Sequence, residues 1–462
     1  MTSQQQLLDR AYGFTPKDVL KRATATRLID ALQPAAVTFS RRLPSADDPH
    51  ARIPAHVAGV NAVTIDRFEG RYLLSGGADS SVAMWDLEAA TVSTESGEAY
   101  LPLSAVNRTA KEHRLGVTQL AFYPFDSLAF LTSSYDHTVK LYSSETLAVS
   151  ASFDLGAVVY NIALSPIASH LLVACAAQGP NVRLVDLRSG ATAHSLAGHS
   201  GAVLSTAWSP VTDHLLASGA TDGTVRFWDI RCSVGSLGTL HLEDSVGHSS
   251  AQAPSYSQRQ PHGQAQAHRG AVNGLVWTED GRHLVSAGHD QRIRVWDTLT
   301  YANTLANFGP AVKNSGLAPV IPVLPPRHYL PAHSDVLFYP NAHEILFYEL
   351  FDGKLLRRMR QPETQKRAAD VATNASTKST TTTSSRITSL AWRAHDVELY
   401  SAHADGRICA WRPRTAQDVE VEEEEREDEI SKDAGRKRKR AVLDDIYAGL
   451  TKRNVTFGNM GL

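Results

Sequence analysis

Cysteine is scarce in this chain, which has only three in 462 residues. Cys175, Cys232 and Cys409 are far apart, odd in number and without Cys-x-x-Cys spacing. This pattern excludes a secreted scaffold held together by disulfides, and it disfavours a structural zinc site, which needs closely spaced ligands. We therefore expect reduced thiols packed in or near strands of an intracellular protein.

Long apolar runs and an excess of one charge are also lacking. A membrane span needs about 18 consecutive apolar residues, and no stretch of the chain approaches that length. The N-terminus also lacks the basic segment followed by an apolar one that marks a signal peptide. We expect neither a membrane helix nor a signal peptide. Lys and Arg number 46 against 48 Asp and Glu, so the whole chain is not a basic nucleic-acid binder.

The chain is longer than one ordinary core, which stops growing near about 250–300 residues. A short strand pattern ending in a Trp-Asp-like pair repeats along it. The seven pairs are Trp85-Asp86, Tyr142-Ser143, Val185-Asp186, Trp228-Asp229, Trp296-Asp297, Tyr348-Glu349 and Trp411-Arg412. Their spacings are 57, 43, 43, 68, 52 and 63 residues, and the shortest match the ~40–45-residue period of WD-type propeller blades.

A second pattern occurs in five of these units: a Ser or Thr, an Asp four residues later, and a Trp or Tyr six residues after the Asp. The sets are Ser75/Asp79/Trp85, Thr132/Asp136/Tyr142, Ser218/Asp222/Trp228, Ser286/Asp290/Trp296 and Ser401/Asp405/Trp411. A turn such as Asp222-Gly223 followed by alternating residues predicts a hairpin. Buried Ser, Asp and Trp need hydrogen-bond partners, and we expect His199 and His268 to supply them in units four and five.

These repeats predict an all-β fold, a seven-bladed WD-repeat β-propeller over residues 36–415, with four antiparallel strands in each blade. Units three and six are degenerate, and the stretch Pro319–Pro331 obscures the strand boundaries of unit six. Residues 243–267 and 361–386 are expected to be surface loops. Because a ring must pair its two ends, we expect residues 36–56 to add the outer strand of the last blade.

An N-terminal helical arm, residues 1–35, is predicted before the ring. Thr15 is expected as the N-cap, with Pro16 in the first helical position. The positions that fall on one side at helical spacing are Leu20, Ala23, Leu28, Ala31 and Leu32, with Arg27 among them. Two interpretations stay open: the helix covers the propeller's own surface, or it inserts into a partner's groove.

A charged C-terminal tail, residues 416–462, is predicted to be disordered because it cannot bury enough apolar surface. Nine acidic residues lie within Asp418–Glu429, and an unbroken basic run follows. That run is Arg436, Lys437, Arg438, Lys439 and Arg440. It favours a nuclear localisation signal, with a nucleic-acid contact or a plain solvated tail as alternatives.

Motifs of enzymes are missing from the chain. There is no Gly-x-Ser-x-Gly elbow, His-Glu-x-x-His sequence, Walker loop or Rossmann fingerprint. The 19 histidines are scattered and are better explained as loop or blade residues. We therefore expect no catalytic, metal-binding or cofactor-binding residues, although a site assembled from distant loops stays an alternative. Protein–protein recognition is favoured.

One motif points to a partner. Unit four ends in Trp228-Asp229-Ile230-Arg231, and unit three has the variant that ends in Arg188. Asp and Arg two residues apart lie on the same side of a strand end. The Arg can present its planar fork to a partner's carboxylate or carbonyl, or it can simply pair with the neighbouring Asp.

These residues resemble a known group, the WD-repeat substrate receptors of cullin 4 type ubiquitin ligases, and within it the Cockayne syndrome group A family. The matching segments are residues 11–32, 59–79 and 267–309, and the resemblance spans roughly residues 7–412. The stretch Asn303–Gly309 lies beyond the generic blade pattern and is therefore more specific. The chain departs from the family in the two insertions, in Pro319–Pro331 and in the charged tail.

The resemblance implies an adaptor of the damage-specific DNA-binding protein 1 type as a partner. It places Trp228, Asp229 and Arg231 against the adaptor, with Arg188 as the related position. The residues that it implies for the adaptor cleft, on the helical arm, are Arg10, Leu20, Arg27 and Leu28.

The function that the resemblance implies is a nuclear, non-catalytic receptor in transcription-coupled nucleotide excision repair. Such a receptor recruits the ligase to RNA polymerase II stalled at a lesion, with the Cockayne syndrome group B translocase as a partner. The alternatives are a generic nuclear scaffold in chromatin or RNA processing, and a propeller enzyme.

Overall fold

The computed structural model describes most of the chain between Lys17 and Arg414. The described residues are 17–35, 37–41, 54–89, 92–94, 97–107, 112–167, 170–190, 192–232, 235–243, 266–330, 335–361, 385–393 and 396–414. The chain divides into two compact units, Met1–Arg412 and Pro413–Leu462, and only residues 413 and 414 of the second are described. The predicted loops lie mostly, and the predicted tail wholly, outside the described residues.

The described elements are strands, apart from one α-helix and one 3₁₀ turn. They begin with α1 (Lys17–Asp30), β1 (Leu32–Pro34), β2 (Val37–Phe39), β3 (Val60–Ile65), β4 (Tyr72–Gly77), β5 (Val82–Asp86), β6 (Val92–Thr94), β7 (Gly97–Tyr100) and β8 (Pro102–Val106). Next come β9 (Val117–Phe122), β10 (Ala129–Ser134), β11 (Thr138–Ser143), β12 (Val149–Asp154), β13 (Val159–Leu164), β14 (Leu172–Ala177), β15 (Asn181–Asp186), β16 (Thr192–Ala197), β17 (Val203–Trp208), β18 (Leu215–Ala220), β19 (Val225–Asp229) and β20 (Gly238–Thr239). The last are β21 (Val272–Trp277), β22 (His283–Gly288), β23 (Arg292–Asp297), the 3₁₀ turn η1 (Arg327–Tyr329), β24 (Val336–Pro340), β25 (Ile345–Glu349), β26 (Leu355–Met359), β27 (Ile387–Arg393), β28 (Glu398–His403) and β29 (Ile408–Pro413).

Seven of the eight sheets formed by the described residues are propeller blades, which confirms the predicted fold class. Blades 1 to 4 contain β3–β5 with β8, β9–β12, β13–β16 and β17–β20. Blades 5 to 7 contain β21–β23, β24–β26 and β27–β29 with β1. Strands within a blade are antiparallel, and we name them a to d from the central channel outwards.

The b strands explain why the apolar runs in the sequence are continuous rather than alternating. In β4, β10, β14, β18 and β22 every residue after the first is buried. A strand covered by neighbouring blades on both faces has no solvent side, so both sets of alternating side chains must be small or apolar. Sequences such as Leu-Val-Ala-Cys-Ala-Ala in β14 meet that requirement.

A buried hydrogen-bond network joins the strands of blade 4. The Trp228 indole N–H donates to Ser218 Oγ at 2.7 Å, and His199 Nε2 lies 2.7 Å from the same oxygen. The Asp222 carboxylate accepts the backbone N–H groups of Thr224 and Ser200 at 2.9 Å each. These contacts confirm the partner role predicted for His199.

The same contact between a histidine and a buried hydroxyl recurs in blades 1, 2 and 5. In blade 5 the histidine is His268, as predicted. The corresponding His–hydroxyl contacts are His56–Ser75 at 2.7 Å, His113–Thr132 at 2.6 Å and His268–Ser286 at 2.7 Å. Sequence reasoning missed His56 and His113. The signal that would have found them is a His 18 or 19 residues before the Ser or Thr, a separation that all four histidines share.

Blade 7 satisfies its network with a histidine from another position. His403 lies on β28, two residues after Ser401, and its Nε2 is 3.0 Å from Ser401 Oγ. Trp411 donates its indole N–H to the same hydroxyl at 2.9 Å. The shared feature is therefore the buried hydroxyl, which contacts an imidazole nitrogen in blades 1, 2, 4, 5 and 7. It also accepts an indole N–H in blades 1, 4, 5 and 7, whereas in blade 2 Tyr142 replaces the Trp and its hydroxyl has no hydrogen-bond partner among the described residues.

Blades 3 and 6 depart from the pattern, as the sequence predicted. In blade 3, Cys175 and Val185 take the positions of Ser and Trp, and both are fully buried in an apolar cluster. The a strand of blade 6 falls within Pro319–Pro331, where Val323 and Phe338 exchange two backbone hydrogen bonds of 2.9 Å. The prolines confine the pairing there to this single bridge, since proline cannot donate to a ladder.

The ring closes with a segment earlier than predicted. The outer strand of blade 7 is β1, Leu32–Pro34, rather than a strand within residues 36–56. The sequence pattern did not predict this strand, because Leu32 also continues the helical spacing of the apolar residues before it. The Ala35 backbone N–H donates to the Ala410 carbonyl at 2.9 Å.

The expected closing segment forms a different sheet. Strand β2 pairs in parallel with β7, which belongs to a hairpin inserted between strands c and d of blade 1. Phe39 on β2 stacks on Tyr100 with ring centroids 5.1 Å apart and meets Trp85 edge-on at 5.3 Å. This small sheet fastens the N-terminal segment to blade 1, while β1 fastens it to blade 7.

We predict that Leu32→Ala lowers the free energy of unfolding by about 2–5 kcal/mol. Leu32 is fully buried in a cluster with Ile29 and Trp411 at the closure of the ring. The control Leu299→Ala removes the same atoms from an exposed site and should cost less than about 0.5 kcal/mol. Equal unfolding midpoints for the two variants in urea would contradict the closure by β1.

We also predict that His403 contributes to acid destabilisation. Burial lowers the pKa of His403 to about 4, and Arg407 acts in the same direction while Asp405 opposes it. As the pH is lowered, this histidine takes up a proton first in the unfolded chain, where it has an ordinary pKa near about 6.5. The free energy of unfolding therefore decreases as the pH drops from about 6.5 to about 4. His403→Gln should remove up to about 1.4 kcal/mol per pH unit of that slope in denaturant titrations. An unchanged slope would contradict this assignment.

Candidate partner-binding surface

The Trp-Asp-x-Arg motif lies at one end of the ring. Strands a and c of a blade run in the same direction, so the a–b turns and the c–d turns share one end, which we call the a–b face. In blade 4 the Ile230 backbone N–H donates to the carbonyl of His214, which lies in the a–b turn, at 3.1 Å. Arg231 follows directly, so it belongs to this face.

Arg231 and Asp229 form a two-pronged ion pair. Arg231 Nε and Nη2 donate to the two Asp229 carboxylate oxygens at 3.1 and 2.8 Å, and the Arg231 backbone N–H donates to Oδ1 at 2.9 Å. These hydrogen bonds lower the pKa of Asp229 to about 2. The Arg231 side chain is still 65% exposed. The neighbouring acid therefore orients the guanidinium without covering it.

Trp228 does not face solvent, which corrects the expectation that it meets a partner directly. Its side chain is buried, and its indole N–H is used by Ser218. Asp229 is also buried and is occupied by Arg231. Within the motif, these two residues position the strand end and the guanidinium, and the surface contact is left to Arg231.

Arg188 repeats the position in blade 3. It follows β15 as Arg231 follows β19, and its backbone N–H donates to Asp186 Oδ1 at 3.0 Å. The Arg188 residue is exposed, and within the described part of the chain its guanidinium has no hydrogen bond. The a–b face therefore presents two arginines from neighbouring blades.

Helix α1 turns a different face to the ring than the sequence predicted. Ala25 and Ile29 are buried together with Leu32, while Leu28 and Arg27 are exposed. Leu28 therefore does not share the buried side with Leu32. The side chain of Leu20, and Arg10 altogether, lie outside the described residues.

The end of the helix is fixed to the a–b face. α1 contacts η1, which lies between strands a and b of blade 6, and Ile29 packs in one cluster with Leu330. Arg357 Nη1 donates to the Asp30 carbonyl at 2.9 Å, a group that the helix end leaves free, and to the Leu32 carbonyl of β1 at 3.0 Å. Both interpretations of the helix thus have a physical basis: one side covers the ring and the other stays exposed.

The a–b turns also carry apolar residues that sequence reasoning missed. The exposed ones in blades 1 to 4 are Phe68, Phe125, Leu128, Ile167 and Val211. Three of them directly follow a proline, in Pro124-Phe125, Pro166-Ile167 and Pro210-Val211. That dipeptide in a turn between two strands is the signal that would have found them. Exposed apolar side chains beside arginines are typical of protein interfaces.

The central channel opens a cavity of about 630 Å³ that is lined by the inner segments of all seven blades. Among the described residues, no group of three His, Cys, Asp or Glu side chains is placed to hold a metal ion. No helix in the same residues is long and apolar enough to cross a membrane.

Comparisons with known proteins agree with this fold. The family model described as "WD domain, G-beta repeat" matches residues 48–86, 105–143, 190–229 and 259–297. These segments correspond to blades 1, 2, 4 and 5, the units with a complete Ser/Thr–Asp–Trp/Tyr set and a histidine ahead of it.

Several curated proteins are similar to the chain. The WD repeat-containing protein ATCSA-1 of Arabidopsis thaliana is 30% identical over an alignment 442 residues long, and the match covers 82% of this chain and 90% of that protein. Ribosome biogenesis protein ytm1 of Neurospora crassa is 28% identical over 54% of this chain and 55% of its own length. Radiation-sensitive protein 28 of Saccharomyces cerevisiae is 26% identical over 41% of this chain and 39% of its own length.

We predict that substitutions at the two ends of the motif differ in their effect on stability. Trp228→Phe removes the donor to Ser218 inside the core and should lower the free energy of unfolding by about 1–3 kcal/mol. Arg231→Ala removes an exposed ion pair and should change it much less than Trp228→Phe does. Denaturant unfolding of both variants tests this. A larger loss for Arg231→Ala would show that its pairing with Asp229 is structural.

Proposed function

Because the chain belongs to the WD-repeat protein family, we propose that it is a non-catalytic receptor that docks a ubiquitin ligase onto a target. In this proposal the ligase is of the cullin 4 RING type, and the docking partner is an adaptor of the damage-specific DNA-binding protein 1 type. The process is transcription-coupled nucleotide excision repair. The targets are RNA polymerase II stalled at a lesion and the Cockayne syndrome group B translocase.

One observation carries this proposal: the helix end and the motif arginines share the a–b face. Arg231 and Arg188 lie in the c–d turns of blades 4 and 3, and α1 is held against the a–b segment of blade 6. A partner that covers this face meets both features at once. Two elements far apart in the chain then act as one docking surface, as the family resemblance implies.

The chemistry of the surface suits an adaptor protein. The oriented guanidinium of Arg231 can donate to a carboxylate or backbone carbonyl of the partner. Exposed turn residues such as Phe125 and Val211 supply apolar area on the same face. The exposed side of α1, with Arg27 and Leu28, is available to a cleft, and Arg10 and Leu20 extend the proposed contact toward the N-terminus.

Charge favours protein over nucleic acid as the partner of the ring. Residues 1–415 hold 36 acidic and 37 basic residues, so the ring and arm together are nearly neutral. Direct binding to DNA needs an excess of cations along the phosphate backbone. The basic run Arg436–Arg440, which we propose as a nuclear localisation signal, lies outside the described residues.

The relatives support a role in repair by their names. The name ATCSA-1 contains the initials CSA, which match Cockayne syndrome group A, and the similarity to this chain extends over 90% of that protein. Radiation-sensitive protein 28 is named for sensitivity to radiation. The alternative is a nuclear scaffold in chromatin or RNA processing, which the similarity to a ribosome biogenesis protein over about half of each chain favours more weakly.

We predict that adaptor binding depends on the a–b face. Arg231→Ala should weaken binding of the purified full chain to the adaptor by roughly tenfold or more, since an oriented charged hydrogen bond is lost. Leu28→Asp should weaken it comparably by placing a charge in an apolar cleft. The matched control is Arg114→Ala, an exposed arginine on a d–a segment at the other end of the ring.

Biolayer interferometry with the immobilised adaptor measures these affinities. If both a–b face variants bind like the unmodified chain, the docking mode is wrong. Affinity purification from ultraviolet-treated cells then tests the process. Recovery of adaptor, cullin and RNA polymerase II supports the repair receptor, whereas recovery of pre-ribosomal particles without the ligase supports the scaffold.

A further inference from the structure

A second cavity lies at the junction of blades 5 and 6, which we call the blade 5–6 cleft. It encloses about 510 Å³. Its lining residues are 307–311, Lys313, Glu344, Gly353, Leu355, Arg358 and Arg360. One wall includes the end of Asn303–Gly309, the stretch that the generic blade pattern does not explain. None of the residues proposed for adaptor docking lines this cleft.

The wall formed by residues 307–313 is held rigidly. Phe308 is buried edge-on against Tyr348, with ring centroids 5.3 Å apart. Asn341 clamps the following turn, since its Oδ1 accepts the Lys313 backbone N–H at 2.9 Å and its Nδ2 donates to the Ala311 carbonyl at 3.1 Å. The cleft is therefore shaped without a ligand.

A close backbone approach fixes the opposite wall. Gly353, in the turn before β26, has a φ of +67°, and a Cβ there would lie 2.5 Å from the Asn307 carbonyl carbon and oxygen. Only glycine combines this conformation with this contact. The turn thus sets where β26 begins, and with it the position of the side chains that follow.

Two arginines of blade 6 meet at one carboxylate. Arg358 on β26 and Arg360 just after it are two residues apart, so they project to the same side. Glu344 Oε1 lies 3.4 Å from Arg358 Nη1, and its Oε2 accepts from Arg360 Nε at 2.7 Å. The side chain of Glu344 is 11% exposed, against 47% and 65% for the two arginines. Glu344 therefore holds both guanidinium groups from the protein side.

The cleft carries an excess of positive charge. Lys313 also lines it, which gives three cations against the single carboxylate of Glu344. Within the described residues, the Lys313 ammonium and the outer nitrogens of Arg360 have no hydrogen-bond partner. The cleft therefore has a net charge of +2, which an anionic ligand can neutralise. A phosphate monoester carries about −1.5 to −2 at neutral pH and offers three acceptor oxygens, whereas a carboxylate carries one charge.

We propose that the blade 5–6 cleft binds the phosphate group of a phosphoserine or phosphothreonine side chain of a protein partner. The guanidinium groups, already oriented by Glu344, donate to the phosphate oxygens, and Lys313 adds a third cation. Leu355 and Pro310 line the cleft beside the charges and pack against the aliphatic part of the bound residue. This site does not depend on the adaptor proposal.

The test is fluorescence polarisation with the full chain and a labelled peptide Gly-Gly-phosphoserine-Gly-Gly. Peptides with Ser or Glu at the central position serve as ligand controls. We expect the phosphorylated peptide to bind, the Ser peptide not to bind, and the Glu peptide to bind at least about fivefold more weakly, because it brings half the charge. Absence of binding, or equal affinity for the Glu peptide, would overturn the assignment.

Two substitutions test whether the phosphopeptide binds in the blade 5–6 cleft. Lys313→Gln leaves both contacts of Glu344 intact and should weaken the phosphopeptide by roughly tenfold, as should Arg360→Gln. Arg114→Gln, an exposed arginine in blade 2, should leave the affinity unchanged. Thermal unfolding midpoints show whether the variants fold. Unchanged affinity in a folded Lys313→Gln chain, or equal losses in the Arg114→Gln control, would refute the site.

Discussion

The buried hydroxyl on the b strand is the group on which each complete blade depends. In blade 4, Ser218 accepts the indole N–H of Trp228 and contacts His199, so one oxygen ties strands b and c to the segment that enters the blade. None of these polar atoms reaches water, and each would carry a desolvation cost if left alone. The need to satisfy all of them together fixes the register of the strands, and blade 7 meets it with a histidine from another position, His403.

This constraint also shapes the surface. Trp228 is held inside by Ser218, which places Asp229 at the strand end and sets Arg231 on the a–b face. The proposed docking surface therefore inherits its geometry from the core. The same logic holds at the blade 5–6 cleft, where buried Phe308 and the contact at Gly353 position the walls that carry the cations. In both places a buried contact orients an exposed charge.

The histidine network shows how far pattern reasoning extends. The separations between Ser218, Asp222 and Trp228 are fixed by a single hairpin, so they are visible in the sequence and the structure confirms them. The partner histidine is also at a nearly fixed distance, but it precedes a different strand. The helix shows the opposite case. Spacing placed Leu28 with Leu32, yet the ring buries Ala25 and Ile29, since which side of a weakly amphipathic helix is covered depends on what it packs against.

The sequence by itself determined the repeat number, the all-β class, the degenerate blades 3 and 6, and the arginine that follows strand c of blade 4. Each of these follows from local spacing, because a hairpin and its turn are built from residues adjacent in the chain. Only the tertiary structure decided that Leu32–Pro34 closes the ring, that Trp228 is buried while Arg231 is exposed, and that α1 shares the a–b face with Arg188 and Arg231. Ring closure and the placement of α1 depend on contacts between segments hundreds of residues apart, β1 with β29 and α1 with η1, for which no local spacing carries a signal. The burial of Trp228 depends on packing between blades 3 and 4, which the motif alone does not show.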